Sequence, residues 1–253
     1  AAASPFQHGM IKRTLAVTKL AVGAAASLSH LLVRRPALII GFGGYPSFAP
    51  LVAGRLLGIP ILLHEQNAFL GRANHRLAKF ADALALSWPQ TKNLPAIRIT
   101  EVTGIPVRQA FFDAAQTSYR LAATAPVNLA VIGGSQGASI LASLVPDAIA
   151  MLEPPMRQRL RVHQQARPEQ IDTLQHRYTD LGVIADIQSF YTDMPSLLGQ
   201  SHLVICRAGA SSVAELAAIG RPSLLLPLSS AMDDHQRMNA LQMQDVGGGI
   251  CLD

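Results

Sequence analysis

One pattern occurs three times in this sequence: a short apolar run, a Gly-rich turn and an Ala/Leu-rich helical run. The apolar runs are ALII (37–40), NLAVI (128–132) and HLVIC (202–206). None of them alternates apolar with polar residues, which is typical of a strand buried on both faces of a sheet. Because such strands alternate here with helices, the pattern predicts a parallel sheet with helices on its faces.

The ends of the predicted helices agree with this interpretation. The first helix is expected to stop at Gly58 and the third at Gly220, each with a proline shortly beyond. Glycine just after a helix and proline a little later are the usual stop signals. A new apolar run follows each stop, ILL (61–63) and LLL (224–226). These are β-α-β units, so we predict the α/β class.

Composition limits the class of protein. Hydrophobic residues make up 49% of the 253 residues and charged residues 15%, against about 25% charged residues in a typical soluble domain. A disordered chain and a collagen-like repeat are therefore excluded. The chain has two cysteines, Cys206 and Cys251, which excludes a disulfide framework and makes a reducing, cytosolic setting the expectation.

The charge balance indicates an acidic partner. The formal net charge is +5 and the sequence pI is 9.6. Aromatic residues are scarce, at 5%, and no Lys/Arg run is long enough for a nucleic-acid arm, so no nucleic-acid partner is predicted. A phosphate-bearing substrate and an anionic membrane surface are the partners that this charge favours.

The stretch from Leu15 to Val33 is the one candidate for a membrane span or a signal. Lys19 interrupts it, and Ala, Gly and Ser dilute it, which argues against a transmembrane helix. An amphipathic helix fits better, with Lys12 and Lys19 on one side. Two interpretations stay open: a helix packed on a domain core, and a peripheral patch that touches anionic lipid.

A softer stretch, residues 104–128, separates the first unit of the pattern from the second. It contains a turn, a short polar helix and then ATAP, whose TAP part is the predicted linker. We therefore expect two Rossmann-like domains with parallel sheets that face each other across a cleft near this boundary. The predicted domains are residues 1–124 and residues 125–253.

Two of the Gly-rich turns, GGSQGAS (133–139) and RAGASS (207–212), lie between a buried strand and a helix start. Backbone N–H groups at a helix start bind anions, and missing side chains let a phosphate approach. Tight βα turns also use glycine for steric reasons alone. Both loops open on the same carboxyl edge of the sheet, which favours a phosphate site there. The phosphate-loop candidates are Gly133, Gly134, Gln136, Gly137 and Gly209, with Ser135 as a further donor and Arg207 nearby.

A dinucleotide oxidoreductase is disfavoured. It needs G-x-G-x-x-G after the strand and an acidic residue about 20 residues later, at the end of the next strand. GGSQGA lacks that spacing, and Asp147 and Glu153 fall in or just past the helix. Glu215 lies about one turn into the helix after the third loop. Its carboxylate either accepts the hydroxyls of a ribose or only interacts with the helix dipole.

Four polar residues, HEQN (64–67), stand at the carboxyl end of the strand ILL, an edge where α/β proteins bind ligands. His64 and Glu65 suit proton transfer, and Asn67 suits recognition of an amide or a hydroxyl. The other histidines show no metal-ligand spacing with one another or with the cysteines, so neither a metal site nor a cofactor is predicted.

Six segments together resemble the MurG family, the undecaprenyldiphospho-muramoylpentapeptide β-N-acetylglucosaminyltransferases of bacterial cell-wall synthesis. In order, they are GFGGYPS (41–47), GIPILLHEQN (58–67), GIPVR (104–108), GGSQGA (133–138), CRAGASSVAEL (206–216) and DDHQRMNA (233–240). The resemblance implies a GT-B fold with an N-terminal acceptor domain and a C-terminal nucleotide-sugar domain. It implies inverting transfer of GlcNAc from UDP-GlcNAc to the C4 hydroxyl of the lipid-linked MurNAc-pentapeptide, lipid I. It also implies a peripheral position on the cytoplasmic face of the inner membrane.

The resemblance assigns roles to individual residues. On the acceptor side they are Tyr45 with the glycines of GFGGY, His64 and Glu65. On the donor side, Asn67 and Gln236 would contact the sugar, Arg108 the nucleotide, and Ser135 the diphosphate. Tyr191 would lie by the uracil, largely through its backbone. The residues that would surround the nucleoside are Ala210, Ser211, Ser212, Val213, Ala214 and Glu215, with Glu215 on the ribose hydroxyls.

The sequence departs from the family pattern in three places. Family members begin with a strand and a Gly-rich loop ending in the His that is their proposed base, and nothing similar precedes GFGGY. The helices expected after GGGICLD (247–253) do not follow. We therefore expect an incomplete chain, and the alternative to a transferase is a non-catalytic module that binds UDP-sugar or the membrane. Ile105, beside Arg108, stands where the family often has Asn.

Overall fold

The structure is a computed structural model that describes residues 10–228 and 234–252, with side chains for 22–133, 139–228 and 234–252. The helices are α1 (Met10–Arg34), α2 (Phe48–Leu56), α3 (Arg72–Leu77), α4 (Gln109–Ala114), α5 (Gly134–Ala150), α6 (Pro154–Arg159), α7 (Ile171–Asp180), α8 (Met194–Gln200), α9 (Ala210–Ile219) and α10 (His235–Asp245). The strands are β1 (Ile39–Gly41), β2 (Ile61–Glu65), β3 (Ala83–Leu86), β4 (Thr100–Val102), β5 (Val127–Ile132), β6 (Leu160–Gln165), β7 (Ile184–Gln188), β8 (Leu203–Cys206), β9 (Ser223–Leu225) and β10 (Gly249–Cys251).

The chain forms two compact units, residues 1–105 and residues 106–253. The sequence predicts a domain boundary later, between 124 and 125. The intervening segment belongs to the second unit because α4 packs against α8 and α9. Its backbone is also held from there: the guanidinium of Arg159 donates to the carbonyls of Ala122 and Ala125, and that of Arg221 donates to Thr117.

In the first unit, four parallel strands run in the order β1-β2-β3-β4. The apolar core lies between this sheet and the helices that connect its strands, as the unalternating apolar runs predict. Its fully buried members include Leu51 of α2, Leu63 of β2 and Leu77 of α3. Glu65 pairs in register with Leu86 of β3, so the polar end of β2 emerges at the carboxyl edge of the sheet.

In the second unit, six parallel strands run in the order β10-β9-β8-β5-β6-β7. One core cluster joins β5, β6 and β7 to α5 and α7, and it includes Val131, Leu141, Val162 and Tyr178. Parallel sheets flanked by helices in both units confirm the predicted α/β class.

The predicted strand and helix ends hold to within a few residues. α9 ends at Ile219, and Gly220 adopts the left-handed conformation with φ +67°, which glycine takes without steric cost. β2 extends further than the run ILL, because His64 and Glu65 are its last two residues. They therefore stand in the sheet itself rather than in the loop after it.

The stretch predicted to be an amphipathic helix lies within α1, which spans Met10–Arg34. Lys12, Arg13 and Lys19 fall outside the side chains that the structure describes. Within residues 10–228 and 234–252, no helix combines the length and apolar character needed to cross a membrane.

Candidate functional site

The strand order of the second unit reverses between β5 and β8. From β5 the chain moves outward through β6 and β7, and then returns to the other side of β5 as β8. Ile132 and Cys206, the last residues of these two strands, are direct partners in the ladder. The loops that follow therefore begin side by side at the carboxyl edge, as predicted. Open α/β sheets bind ligands at such a reversal point.

The first of these loops leads directly into α5. Gly133 is buried and immediately precedes the helix, which begins at Gly134. The first N–H groups of an α-helix have no partner within it and carry a partial positive charge, which suits an anion. The first turn contains Gly134, Ser135, Gln136 and Gly137. The side chains of Ser135 and Gln136 lie outside the described part of the chain. The predicted roles of Ser135 and Gln136 stay predictions.

The second loop leads into α9 in the same way. Gly209 is extended and precedes Ala210, and the N–H of Val213 donates to the carbonyl of Gly209 at 3.0 Å, which closes the first turn. The Ser212 hydroxyl lies 3.8 Å from the point that a Cβ on Gly209 would occupy. The N–H groups of the first turn and a serine hydroxyl are therefore close to the loop. Val213 is buried, whereas Ala214 is partly exposed.

Glu215 lies one turn further along α9 and is half-buried. Burial raises the pKa of its carboxyl group, and the positive charge of Arg108 acts in the opposite direction. Arg108 also lies over the ring of Phe111, with its guanidinium carbon 5.1 Å from the ring centre. Arg108 and Glu215, predicted from separate motifs, thus interact electrostatically within one unit.

Arg207 directly precedes the second loop, and its sequence position alone predicts no specific role for it. One guanidinium nitrogen, Nη1, donates to the carbonyls of Leu226 and Pro227, each at 2.9 Å. Nε and Nη2 are buried and have no hydrogen-bond partner among the described residues. Burial lowers the pKa of Arg207. Unused cationic donors next to two helix starts suit a phosphate. The signal in the sequence is an arginine directly after a buried strand.

α10 contributes to the same edge. The side-chain oxygen of Gln236 accepts a hydrogen bond from the N–H of Leu228 at 2.9 Å, which leaves its amide nitrogen as a donor. Asn239, fully buried, donates to the carbonyl of Ala208 at 3.2 Å. α10 is thereby attached to the loop before α9 through Asn239. Through Gln236 it is attached to the segment that follows β9, at Leu228.

Tyr191 follows β7 and turns its side chain inward. The ring is 8% exposed, and the hydroxyl donates to the carbonyl of Asp186 at 2.8 Å. Burial, reinforced by the negative charge of Asp186, raises the pKa of the phenol. Packing therefore occupies the side chain of Tyr191, and its predicted position by the uracil, largely through the backbone, stays a prediction.

In the second unit, Cys206 is not suited to nucleophilic catalysis, and the two cysteines are not placed to form a disulfide. Burial raises the pKa of the Cys206 thiol to about 12, so Cys206 is not a nucleophile at neutral pH. Leu225 of β9 stands between Cys206 and Cys251 in the sheet. The Cα atoms of the two cysteines are therefore two strand spacings apart, too far for a disulfide. No cluster of His, Cys, Asp and Glu able to hold a metal is found in the described part of the chain.

In the first unit, the carboxylate of Glu65 has four donors around it. Oε1 accepts from the N–H and the side-chain Nδ2 of Asn67, at 3.0 and 2.9 Å. Oε2 accepts from the N–H of Gly71 at 3.0 Å and from Nδ2 of Asn74 at 2.8 Å. Glu65 is 2% exposed. The carboxylate therefore organises residues 65–74 and orients Asn67, and the predicted proton transfer by Glu65 stays a prediction without geometric support.

His64 is buried beside it, with both ring nitrogens in hydrogen-bond contact. Nε2 lies 2.9 Å from the carbonyl oxygen of Gly104, and Nδ1 lies 3.0 Å from the side-chain nitrogen of Gln66. The ring of Phe42 is 5.4 Å away, centre to centre. Proton transfer by His64 likewise stays a prediction.

The Gly-rich loop of the first unit lies over Asn74. Gly43 has φ +83°, and a Cβ there would come within 3.0 Å of both Nδ2 and Oδ1 of Asn74. The Asn74 side chain is buried, and its Oδ1 has no hydrogen-bond partner among the described residues. Tyr45 follows this loop and stacks on Phe48, with ring centres 6.3 Å apart. The loop, Tyr45 and the Glu65 network therefore share the carboxyl edge of this sheet.

Comparison with known proteins gives a consistent result for both units. The model of the glycosyltransferase family 28 N-terminal domain matches residues 2–86, and that of the family 28 C-terminal domain matches residues 128–253. A protein of Granulibacter bethesdensis is 48% identical over 237 residues, which is 89% of this chain and 62% of that protein. One of Methylorubrum extorquens is 41% identical over the whole chain, covering 69% of that protein. Both are named UDP-N-acetylglucosamine--N-acetylmuramyl-(pentapeptide) pyrophosphoryl-undecaprenol N-acetylglucosamine transferase.

Comparison with solved structures agrees with the sequence relatives. The crystal structure of Acinetobacter baumannii MurG matches the whole chain with a TM-score of 0.74 and 30% identity, and 67% of that protein is covered. A UDP-GlcNAc 2-epimerase from Neisseria meningitidis, solved with UDP-GlcNAc, matches with a TM-score of 0.59 and 13% identity. The second likeness concerns the fold alone. The chain thus spans roughly two thirds of the length of the relatives that it matches.

Proposed function

Because the chain belongs to glycosyltransferase family 28, we propose that it binds UDP-GlcNAc and transfers GlcNAc to the C4 hydroxyl of undecaprenyl-diphospho-MurNAc-pentapeptide, converting lipid I to lipid II. The observation that carries the proposal is the reversal of strand order between β5 and β8. Two helix starts and the unused donors of Arg207 meet at that edge. The GT-B fold class predicted for the chain agrees with this family.

The diphosphate of the donor would sit on the starts of α5 and α9. Gly133, Gly134 and Gly209 allow close approach there, and the N–H groups, Ser135 and Arg207 supply donors. Glu215 would accept the ribose hydroxyls, since a carboxylate only accepts hydrogen bonds when ionised. The remaining donor-side contacts would come from Asn67, Arg108, Tyr191, Gln236 and residues 210–214.

These groups would stabilise the negative charge that develops in the reaction. The acceptor oxygen bonds to C1 of GlcNAc on the face opposite the diphosphate, and the bond from C1 to the β-phosphate oxygen breaks. Its electron pair moves onto that oxygen, so negative charge grows where the helix starts and Arg207 lie. The hydroxyl proton passes to a base. We assign that base to neither His64 nor Glu65, because the hydrogen bonds of both side chains are directed at other parts of the protein.

The acceptor would use the first unit, with Tyr45, the glycines of residues 41–44 and the edge ordered by Glu65. A lipid-linked diphosphate also requires contact with an anionic membrane. We propose a peripheral position on the cytoplasmic face of the bacterial inner membrane, with α1 and its basic residues as the contact.

A transfer assay tests the proposal. The chain is incubated with UDP-GlcNAc labelled in the sugar and with a short-lipid analogue of the acceptor, and the product is separated and its anomeric configuration read by NMR. We expect a β-linked disaccharide. In Glu215→Ala the transfer rate should fall at least about tenfold, because hydrogen bonds to a charged group are lost. The matched control is Glu153→Ala, at the exposed turn before α6. Donor binding without transfer would favour the non-catalytic module, and absence of both would contradict the proposal.

A further inference from the structure

We infer that His64 is a neutral clamp that joins the end of β2 to Gly104, and that it supports GlcNAc transfer as a positioning residue rather than by moving a proton. The inference rests in part on the proposed function, since it states how His64 would serve that reaction. It concerns two contacts within the first unit, those of Nε2 and Nδ1.

The partner of Nε2 fixes the tautomer. Nε2 lies 2.9 Å from the carbonyl oxygen of Gly104, and a carbonyl can only accept. Nε2 therefore carries the hydrogen and donates it. Nδ1 lies 3.0 Å from the amide nitrogen of Gln66, which can only donate, so Nδ1 must present its lone pair. These two partners together specify the neutral ring with its hydrogen on Nε2.

A second hydrogen bond fixes the orientation of the Gln66 side-chain amide. The same amide nitrogen donates to the backbone carbonyl of His64 at 2.9 Å. An amide group turned the other way would put its oxygen against that carbonyl, two acceptors facing each other. The lone pair of Nδ1 is therefore directed at a donor that a second contact keeps in position, and it is not open to the proton of a substrate hydroxyl.

Gly104 is the point that this clamp holds. Its N–H donates to the carbonyl of Leu86 at 3.2 Å, and its carbonyl accepts from His64 and from the hydroxyl of Thr103, the latter at 3.2 Å. His64 is 6% exposed, whereas Thr103 is exposed, so the His64 contact is the one shielded from water. The division between the compact units falls immediately after Ile105.

The position of Gly104 gives the clamp a role in the reaction. Four residues later the chain reaches Arg108, whose charge acts on Glu215. Within the first unit, the His64 contact fixes the backbone of Gly104, near the start of this segment. Loss of the contact would loosen Gly104 without removing any group that touches the reacting atoms.

The test compares His64→Gln with His64→Ala. A glutamine amide can present an N–H near the place of Nε2 but has no proton to exchange with a substrate. A positioning role predicts transfer by His64→Gln within about threefold of the unaltered chain and a loss of about tenfold or more in His64→Ala, the scale of one lost hydrogen bond. Equal losses in the two variants, of about 100-fold or more as for a general base, would overturn the inference.

Two measurements do not depend on activity. Nitrogen-15 NMR of histidine-labelled chain at pH 7.5 should show the His64 ring neutral with its hydrogen on Nε2, the signals being assigned from their loss in His64→Gln. Amide exchange at Thr103 and Gly104 should quicken about tenfold in His64→Ala. It should stay unchanged in the control His75→Ala, whose partly exposed ring contacts the carbonyl oxygen of Asn93. A charged ring, a hydrogen on Nδ1 or unchanged exchange would overturn the clamp. Absence of transfer by the unaltered chain would count against the proposed function, while these two measurements still decide the clamp.

Discussion

Glu65 binds both the backbone N–H and the side-chain amide of Asn67 through a single carboxylate oxygen, at 3.0 and 2.9 Å. A carboxylate that accepts these bonds at one oxygen, and those of Gly71 and Asn74 at the other, is fully occupied. The Glu65 carboxylate therefore holds Asn67, which the sequence predicts to contact the donor sugar, in place.

Replacement of Glu65 by Gln should destabilise the fold. The new amide would face at least one N–H donor with another N–H group, so a hydrogen bond is lost and a buried donor is left unpaired. We expect a loss of about 1–3 kcal/mol in the free energy of unfolding, measured by urea denaturation. The control Glu101→Gln, exposed on β4, should change stability by less than about 0.5 kcal/mol. An equal effect in both variants would contradict the network.

Gly43→Ala should also destabilise the first unit. Its φ of +83° is unfavourable for any residue with a side chain, and the added Cβ would approach the amide of Asn74 to 3.0 Å. A loss of about 1–2 kcal/mol is expected from the conformation alone. Gly23→Ala, in α1 with an ordinary 3.5 Å contact to Ala49, should cost nothing or add slightly to stability. If the two variants unfold alike, the loop does not lie against Asn74 as described.

Arg207→Gln should weaken UDP binding more than it affects folding. The buried Nε and Nη2 donors have no described protein partner, so their loss falls on the phosphate that we propose they bind. An increase in the UDP dissociation constant of at least about tenfold is expected, together with a weaker dependence of binding on salt. The exposed Arg98 gives a control, Arg98→Gln. Unchanged affinity in Arg207→Gln would exclude Arg207 from the site.

The raised pKa of Glu215 predicts an acid limb in donor binding. In the folded chain the carboxyl group takes up its proton at a higher pH than in the unfolded chain, because it is half-buried. Stability contributed by this group therefore falls as pH rises through the interval between the two pKa values. A protonated carboxyl loses acceptor capacity toward the ribose hydroxyls, so UDP affinity should decrease on acidification, starting above pH 4.5.

Glu215→Gln is the variant that isolates this effect. It should bind UDP about tenfold more weakly at pH 7.5, from loss of hydrogen bonds to a charged group, and its remaining affinity should not follow the acid limb. Its stability at pH 7.5 should equal or exceed that of the unaltered chain, since a partly buried charge is removed. Calorimetric titration and thermal melts from pH 4 to 8 measure both. An acid limb that persists in the variant would assign the titration to another group.

Local rules were enough to predict the strands and helices of the three repeated units, but not the other elements of the two sheets. Unbroken apolar runs predict strands buried on both faces, and Gly220 predicts the end of α9, because each signal lies within a few residues of the feature. The proximity of the two Gly-rich loops was also predictable, since parallel strands have their carboxyl ends at one edge. The pairing of Ile132 with Cys206 confirms it.

The finer parts of the site depend on contacts between residues distant in sequence. The Glu65 network includes Asn74, which reaches it only because α3 folds back over the end of β2. The unused donors of Arg207 can be identified only from the structure, because only there do the carbonyls of Leu226 and Pro227 accept hydrogen bonds from Nη1. The segment before the predicted linker joins the second unit because Arg221 reaches Thr117. No local pattern reports such contacts.

Calorimetric titration of this chain with UDP-GlcNAc, with UDP and NADH as comparison ligands, is a direct test of the proposed donor site. We expect both uridine ligands to bind, NADH not to bind, and Glu215→Ala and Arg207→Gln each to lose at least about tenfold in affinity. A chain that melts cooperatively yet binds no uridine ligand, or binds NADH equally well, would contradict a donor site at the junction of β5 and β8.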